Sequence, residues 1–192
     1  MREHLPTATP NRLVLQKPVI LVGMMGAGKS AVGMALSKRL GVMFRDSDTE
    51  IEQAAACSIA EIFARDGETF FRAREAEVIA RLLREAPAII STGGGAYLRP
   101  ETRALISGQG AAVWLRADVE LLWSRVKHKD TRPLLRTDDP KQTLTDLLAA
   151  RTPSYELADL VAECHPEYSI EAMVDVVVDV LIGAGILTET TE

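Results

Sequence analysis

Eight residues constrain this chain more than any others: Gly23-Met24-Met25-Gly26-Ala27-Gly28-Lys29-Ser30. They fit G-x-x-x-x-G-K-[ST] and follow the apolar run Val19-Ile20-Leu21-Val22. After them comes a stretch of helical periodicity that reaches Leu40 and stops at Gly41. A strand, a glycine-rich turn and a helix in that order form a phosphate-binding loop. Glycines let the backbone curl until successive N–H groups point at phosphate oxygens. The opening of the helix adds its positive dipole end. Lys29 supplies a point charge for the β- and γ-phosphates, and the Ser30 hydroxyl is a ligand for Mg²⁺. Gly26, Ala27, Gly28 and Ala31 complete the cradle through their backbone.

The rest of the chain alternates strand and helix. Val42-Met43-Phe44 reads as a second strand ending at Asp46, and Ser58-Ile59-Ala60-Glu61 has the form of a capping box opening a short helix. Residues 69–86 carry apolar positions among charges and end at Pro87, an amphipathic helix. Ala88-Ile89-Ile90-Ser91 is a third strand running into Gly93-Gly94-Gly95, and Ala111 to Leu115 a fourth, followed by a helix from Asp118 to about His128. Residues 129–140 are polar with two prolines and read as a mobile loop. A helix to about Arg151, a strand near Leu160–Glu163 and a helix to about Ile182 follow. Such alternation implies a parallel sheet covered on both faces, with ligands beyond the carboxyl ends of its strands. One domain over 18–183 is expected, with flexible tails at 1–17 and 184–192.

Composition narrows the function classes. The net charge of −5 and 5% aromatics disfavour a nucleic-acid binder held by phosphate contacts or base stacking. Cys57 and Cys164 are too few for a disulfide framework and suit a reducing cytoplasm. No stretch approaches the run of about 18 apolar residues that crosses a bilayer.

Asp46-Ser47-Asp48 closes the second strand. Alternation along an extended segment points both carboxylates one way. One carboxylate suits hydrated Mg²⁺, the other a substrate hydroxyl whose proton it takes. Asp at a strand end is also a common helix cap, and the phosphate loop tips the balance toward a site. Gly93–Gly95 reads equally as a flexible turn or as close backbone approach to a ligand.

Beyond these motifs the chain resembles shikimate kinase. The pieces that carry the resemblance are GMMGAGKSAVG, FRDSDTEIE, SIAEIFARDGETFFRAREAE, STGGGAY, TRPLL and ARTPSYELAD, spread from about Pro18 to Ile182. The resemblance implies a three-layer α/β/α sandwich on a five-stranded parallel sheet, of the P-loop NTPase, nucleoside-monophosphate-kinase-like class. It implies MgATP-dependent phosphorylation of shikimate at its 3-hydroxyl by a monomer. Ser30 and Asp46 would serve Mg²⁺, and Asp48 would bind the hydroxyls and act as base. Arg72 and Arg151 would flank the substrate carboxylate beside the Gly94 backbone, a role the planar Arg fork suits. Residues of about 46–75 would form the substrate-binding segment. The 129–140 loop would be a lid whose Arg132 reaches the ATP and the transferring phosphoryl group, with Arg125 beside the adenine. Glu75, three residues after Arg72, is placed to orient it. Two departures stand out: Ala31 replaces the usual Thr, and Cys164-His165-Pro166-Glu167-Tyr168 offers no Arg to the adenine. A kinase of another hydroxylated acid, such as gluconate, and a slow nucleotide-hydrolysing switch are the alternative readings.

Overall fold

The computed structural model describes residues 12–128 and 133–190. Five strands run parallel: β2 (Val19–Val22), β3 (Phe44–Asp46), β4 (Ile89–Ser91), β5 (Ala111–Arg116) and β6 (Leu160–Glu163), in the spatial order β3-β4-β2-β5-β6. β2 at the centre is buried along its whole length, which is why it reads as a continuous apolar run with no alternation. Helices flank the sheet: α1 (Lys29–Leu40), α2 (Ser47–Ala55), α3 (Ile59–Arg84), α4 (Pro100–Gln109), α5 (Val119–Val126), α6 (Pro140–Tyr155) and α7 (Ile170–Gly183), of which α2 and α4 are not among the helices expected from the sequence. α1 packs on α7 and α3 on α4. None of the described helices is long and apolar enough to cross a membrane.

The connections set the position of the site. From β2 the chain leaves toward β3 on one side, and from its neighbour β4 it leaves toward β5 on the other. Diverging connections open a crevice beyond the carboxyl ends of these two strands. Gly23 begins the turn after β2 and Gly93 the turn after β4, so the two glycine-rich segments face each other across it.

Three expectations change. The helix that opens at Ser58 and the one expected from 69 form a single element broken at Gly67, whose φ of 82° and ψ of 173° are non-helical. The Ser58 capping box is present at its start. α6 runs past Arg151 to Tyr155 despite Pro153, because Glu156 N–H still closes the last turn on the Thr152 carbonyl and Tyr155 is fully buried. The tails are partly structured: β1 (Arg12–Leu15) pairs antiparallel with β7 (Leu187–Thr190), with Leu15 opposite Leu187. Leu15, Ile186 and Leu187 join the core, so burial at the inner end of the ribbon secures it.

Candidate active site

The phosphate loop takes the shape its glycines permit. Gly26 and Gly28 have φ of 84° and 96°, a region a side chain resists. Gly28 is the N-cap of α1 and no side chain caps that end, nor does an acidic residue stand in its first turn. The first amides of α1 are therefore open to an anionic ligand. Lys29 Nζ donates to the carbonyls of Gly23 at 2.8 Å and Met24 at 3.0 Å, which holds the ammonium over its own loop. Arg125 of α5 donates to the Gly26 and Ala27 carbonyls, so it braces the loop from the wall of the same cavity. Cys164 packs under Ala27, and burial pushes its thiol up to about 11, an inert group as composition suggested.

Asp46 and Asp48 converge by a different route from strand alternation. Asp46 ends β3 and caps α2, its Oδ1 accepting from Asp48 N–H at 3.1 Å and Thr49 N–H at 3.4 Å. Asp48 lies in the first turn of α2, not on an extended segment. The cap and the site reading are both true of Asp46, because its other oxygen accepts from Ser30 Oγ at 3.1 Å. Ser91, at the end of β4 and not singled out by its sequence, puts its hydroxyl 3.3 Å from Ser30 Oγ. Ser30, Asp46 and Ser91 present hard oxygens beside the loop, a donor set that fits Mg²⁺, which needs few protein ligands beside water and phosphate. Among the described residues no three His, Cys, Asp or Glu side chains form a metal cage. Burial, then the neighbouring Asp46 charge, raises the Asp48 carboxyl above its ordinary value against the pull of Lys29.

The turn after β4 is the hub. A Cβ on Gly93 would stand 2.9 Å from Asp48 Oδ1, one on Gly94 3.3 Å from Arg151 Nη1, and one on Gly95 2.6 Å from Arg72 Nη2. Three successive glycines thus each admit one of the three side chains assigned to the acceptor. Arg72 Nη1 donates to Glu75 Oε2 at 2.8 Å, as their spacing predicts, and its other nitrogens reach Glu68 at 3.4 Å. Glu75 is 1% exposed and its Oε1 has no hydrogen-bond partner among the described residues; burial raises its carboxyl despite Arg72. Tyr155, also unmarked in the sequence, donates its hydroxyl to the Gly94 carbonyl at 2.6 Å.

A cavity of about 630 Å³ spans the phosphate loop, Asp46, Asp48 and Gly93–Gly94, and reaches Tyr168, Ser169 and Ile170 at the start of α7. It is large enough for a nucleotide with a second small molecule at its end. Of the residues expected here, only Arg132 lies outside the described residues. The described part of the 129–140 segment holds a single 3₁₀ turn at Pro133–Leu135, and α6 begins at Pro140.

The family model for shikimate kinase matches residues 25–182. The chain is 61% identical over 167 residues to shikimate kinase of Ruegeria pomeroyi, covering 87% of this chain and 86% of that one. It is 60% identical over 141 residues to shikimate kinase of Cereibacter sphaeroides, covering 73% and 71%. Among solved structures, shikimate kinase from Acinetobacter baumannii in complex with shikimate superposes with a TM-score of 0.76 at 36% identity, covering 88% of this chain and 93% of that one. A gluconokinase from Sinorhizobium meliloti reaches a TM-score of 0.56 at 16% identity, covering 88% and 94%, a likeness of fold alone.

Proposed function

The chain belongs to the shikimate kinase family, and on that premise we propose how its residues serve the reaction, the transfer of phosphate from ATP to shikimate. The observation that carries the proposal is the convergence of Asp48, Arg72 and Arg151 on Gly93–Gly95, across the crevice from the phosphate loop. The amides of 26–31 and Lys29 hold the β- and γ-phosphates. Ser30 and Asp46, with Ser91 beside them, would hold Mg²⁺, which neutralises phosphate charge when bound. Arg72 and Arg151 take the acceptor carboxylate next to the Gly94 backbone, and Glu75 holds Arg72 in place. Asp48 accepts the proton of the 3-hydroxyl. That oxygen then bonds to the γ-phosphorus as the bond to the β–γ bridging oxygen breaks, and ADP leaves. Arg132 delivers positive charge to the transferring phosphoryl group from a lid at 129–140, and closure excludes the water that would hydrolyse ATP.

The working form in this scheme is a monomer, and the two free cysteines suit the cytoplasm. An ADP-release assay offering shikimate, gluconate and CMP should give turnover with shikimate alone. Comparable kcat/KM on gluconate or CMP would overturn the acceptor assignment. Shikimate with its carboxylate reduced to an alcohol should bind at least 10-fold more weakly, since a charge-assisted bond contributes about 1.5–3 kcal/mol. Equal use of acid and alcohol would remove Arg72 and Arg151 from carboxylate recognition.

A further inference from the structure

Tyr155 closes α6 one helical turn after Arg151, with no exposed surface at all. Its ring stacks on Trp114 with centroids 5.9 Å apart. A phenylalanine would fill that space as well, so the hydroxyl needs its own explanation, because a buried O–H is costly unless bonded. The hydroxyl donates to the Gly94 carbonyl at 2.6 Å, a well-formed bond at the short side of the ordinary range, and lies 3.9 Å from Met24 Sδ in the phosphate loop. The Arg151 guanidinium faces the same hydroxyl: a Gly94 Cβ would stand 3.3 Å from Arg151 Nη1 and 3.7 Å from Tyr155 Oη. The phenol proton is committed to Gly94, which leaves the oxygen lone pairs as acceptors, and Arg151 is the cation beside the same turn.

We propose that Tyr155 is a positioning residue for acceptor recognition, its hydroxyl tying the Gly94 carbonyl to the Arg151 guanidinium so that fork and turn are fixed before the acceptor arrives. This rests on Arg151 being a carboxylate ligand. Held in this way, Arg151 loses little freedom on binding, and the turn cannot drift from it. The role belongs to the acceptor half of the site; the nucleotide phosphates are held by the amides of 26–31.

Tyr155→Phe tests this, since it deletes one oxygen and keeps the packing. The KM for shikimate should rise about 3- to 12-fold, the range expected for one net hydrogen bond. The KM for ATP should stay within twofold, and the preference for shikimate over its alcohol analogue should fall by a similar factor. In an Arg151→Ala background the same change should add less than twofold, because the two act through one contact. If Arg151→Ala weakens shikimate while Tyr155→Phe leaves both KM and acid preference unchanged, the positioning role is wrong and the Arg151 assignment stands. If Arg151→Ala leaves shikimate binding intact, that assignment itself falls and the role of Tyr155 with it. Parallel losses in shikimate KM, ATP KM and thermal stability would mark Tyr155 as packing only and overturn the proposal.

Discussion

Asp48 meets two opposing demands. In the proposed role of base it must be ionised at neutral pH, yet burial and the nearby Asp46 charge favour its protonated form. Its folded pKa therefore lies above the unfolded value of about 3.9. The stabilising effect of its proton is complete below the unfolded pKa and is lost as pH rises through the folded one, so at pH 7 the ionised side chain costs stability. Asp48→Asn should raise the melting midpoint at pH 7 and give no gain below about pH 3.9, while kcat drops on the order of 10²- to 10⁴-fold, the usual loss on removing a general base. Thermal unfolding of both proteins across pH checks the first part; a variant that melts lower at pH 7 would contradict the burial argument. The wild-type acid limb of kcat/KM should likewise titrate above the ordinary aspartate value. The role proposed for Lys29 is electrostatic. Lys29→Ala should keep the fold and lower kcat on the order of 10²- to 10³-fold, the effect of about 3–4 kcal/mol lost in a water-poor site. Circular dichroism with steady-state kinetics reads both.

At the scale of elements, the turn after β4 separates what sequence carries from what only folding supplies. Gly93-Gly94-Gly95 is visible as a turn, and its place after a strand marks a ligand edge. Nothing in the triplet says which side chain each glycine admits, because Asp48, Arg72 and Arg151 arrive from α2, α3 and α6. The phosphate loop and the Ser58 capping box were legible because a few adjacent residues specify them. Ser91 and Tyr155 were not, since a serine at a strand end and an aromatic on a helix look alike whether they pack or position. Sequence alone puts Asp48 on an extended segment, because the Asp46 cap, which starts α2 at Ser47, is decided by which amides turn toward it. The glycines give a directional test. Gly95 has φ −94° and ψ −18°, which alanine adopts freely, so Gly95→Ala acts by pushing Arg72 aside. It should raise the shikimate KM roughly 10-fold with kcat largely kept. Gly93→Ala should displace Asp48 instead and lower kcat more than it alters the shikimate KM. Identical kinetic patterns for the two variants would break the residue-by-residue pairing.

Across the whole molecule, the parallel order β3-β4-β2-β5-β6 gathers segments from residue 25 to residue 173 around one cavity. Four of its strands were readable because each is short, largely apolar and followed by a helix, whereas β3 carries Arg45 and Asp46 and only begins at the end of the apolar triplet 42–44. The β1–β7 ribbon was not, since its strands have four residues each and pair Leu15 with Leu187 across nearly the whole chain. No local pattern can announce such a partner. The ribbon lies at the far end of α7 from the cavity, and the 14 residues of that helix span about 20 Å. Stability and chemistry should therefore separate there. Leu187 is 1% exposed, and Leu187→Ala should cost about 2–5 kcal/mol, the usual loss for truncating a buried leucine. For a chain of this size that lowers the melting midpoint by roughly 5–15 °C. At a temperature well below the new midpoint, kcat and both KM values should stay within about twofold of wild type. Differential scanning calorimetry paired with the ADP-release assay decides it: a change in shikimate KM at a temperature where the variant is fully folded would mean that the ribbon reaches the site through α7, and an unchanged midpoint would mean that Leu187 contributes nothing to closing the two ends of the fold.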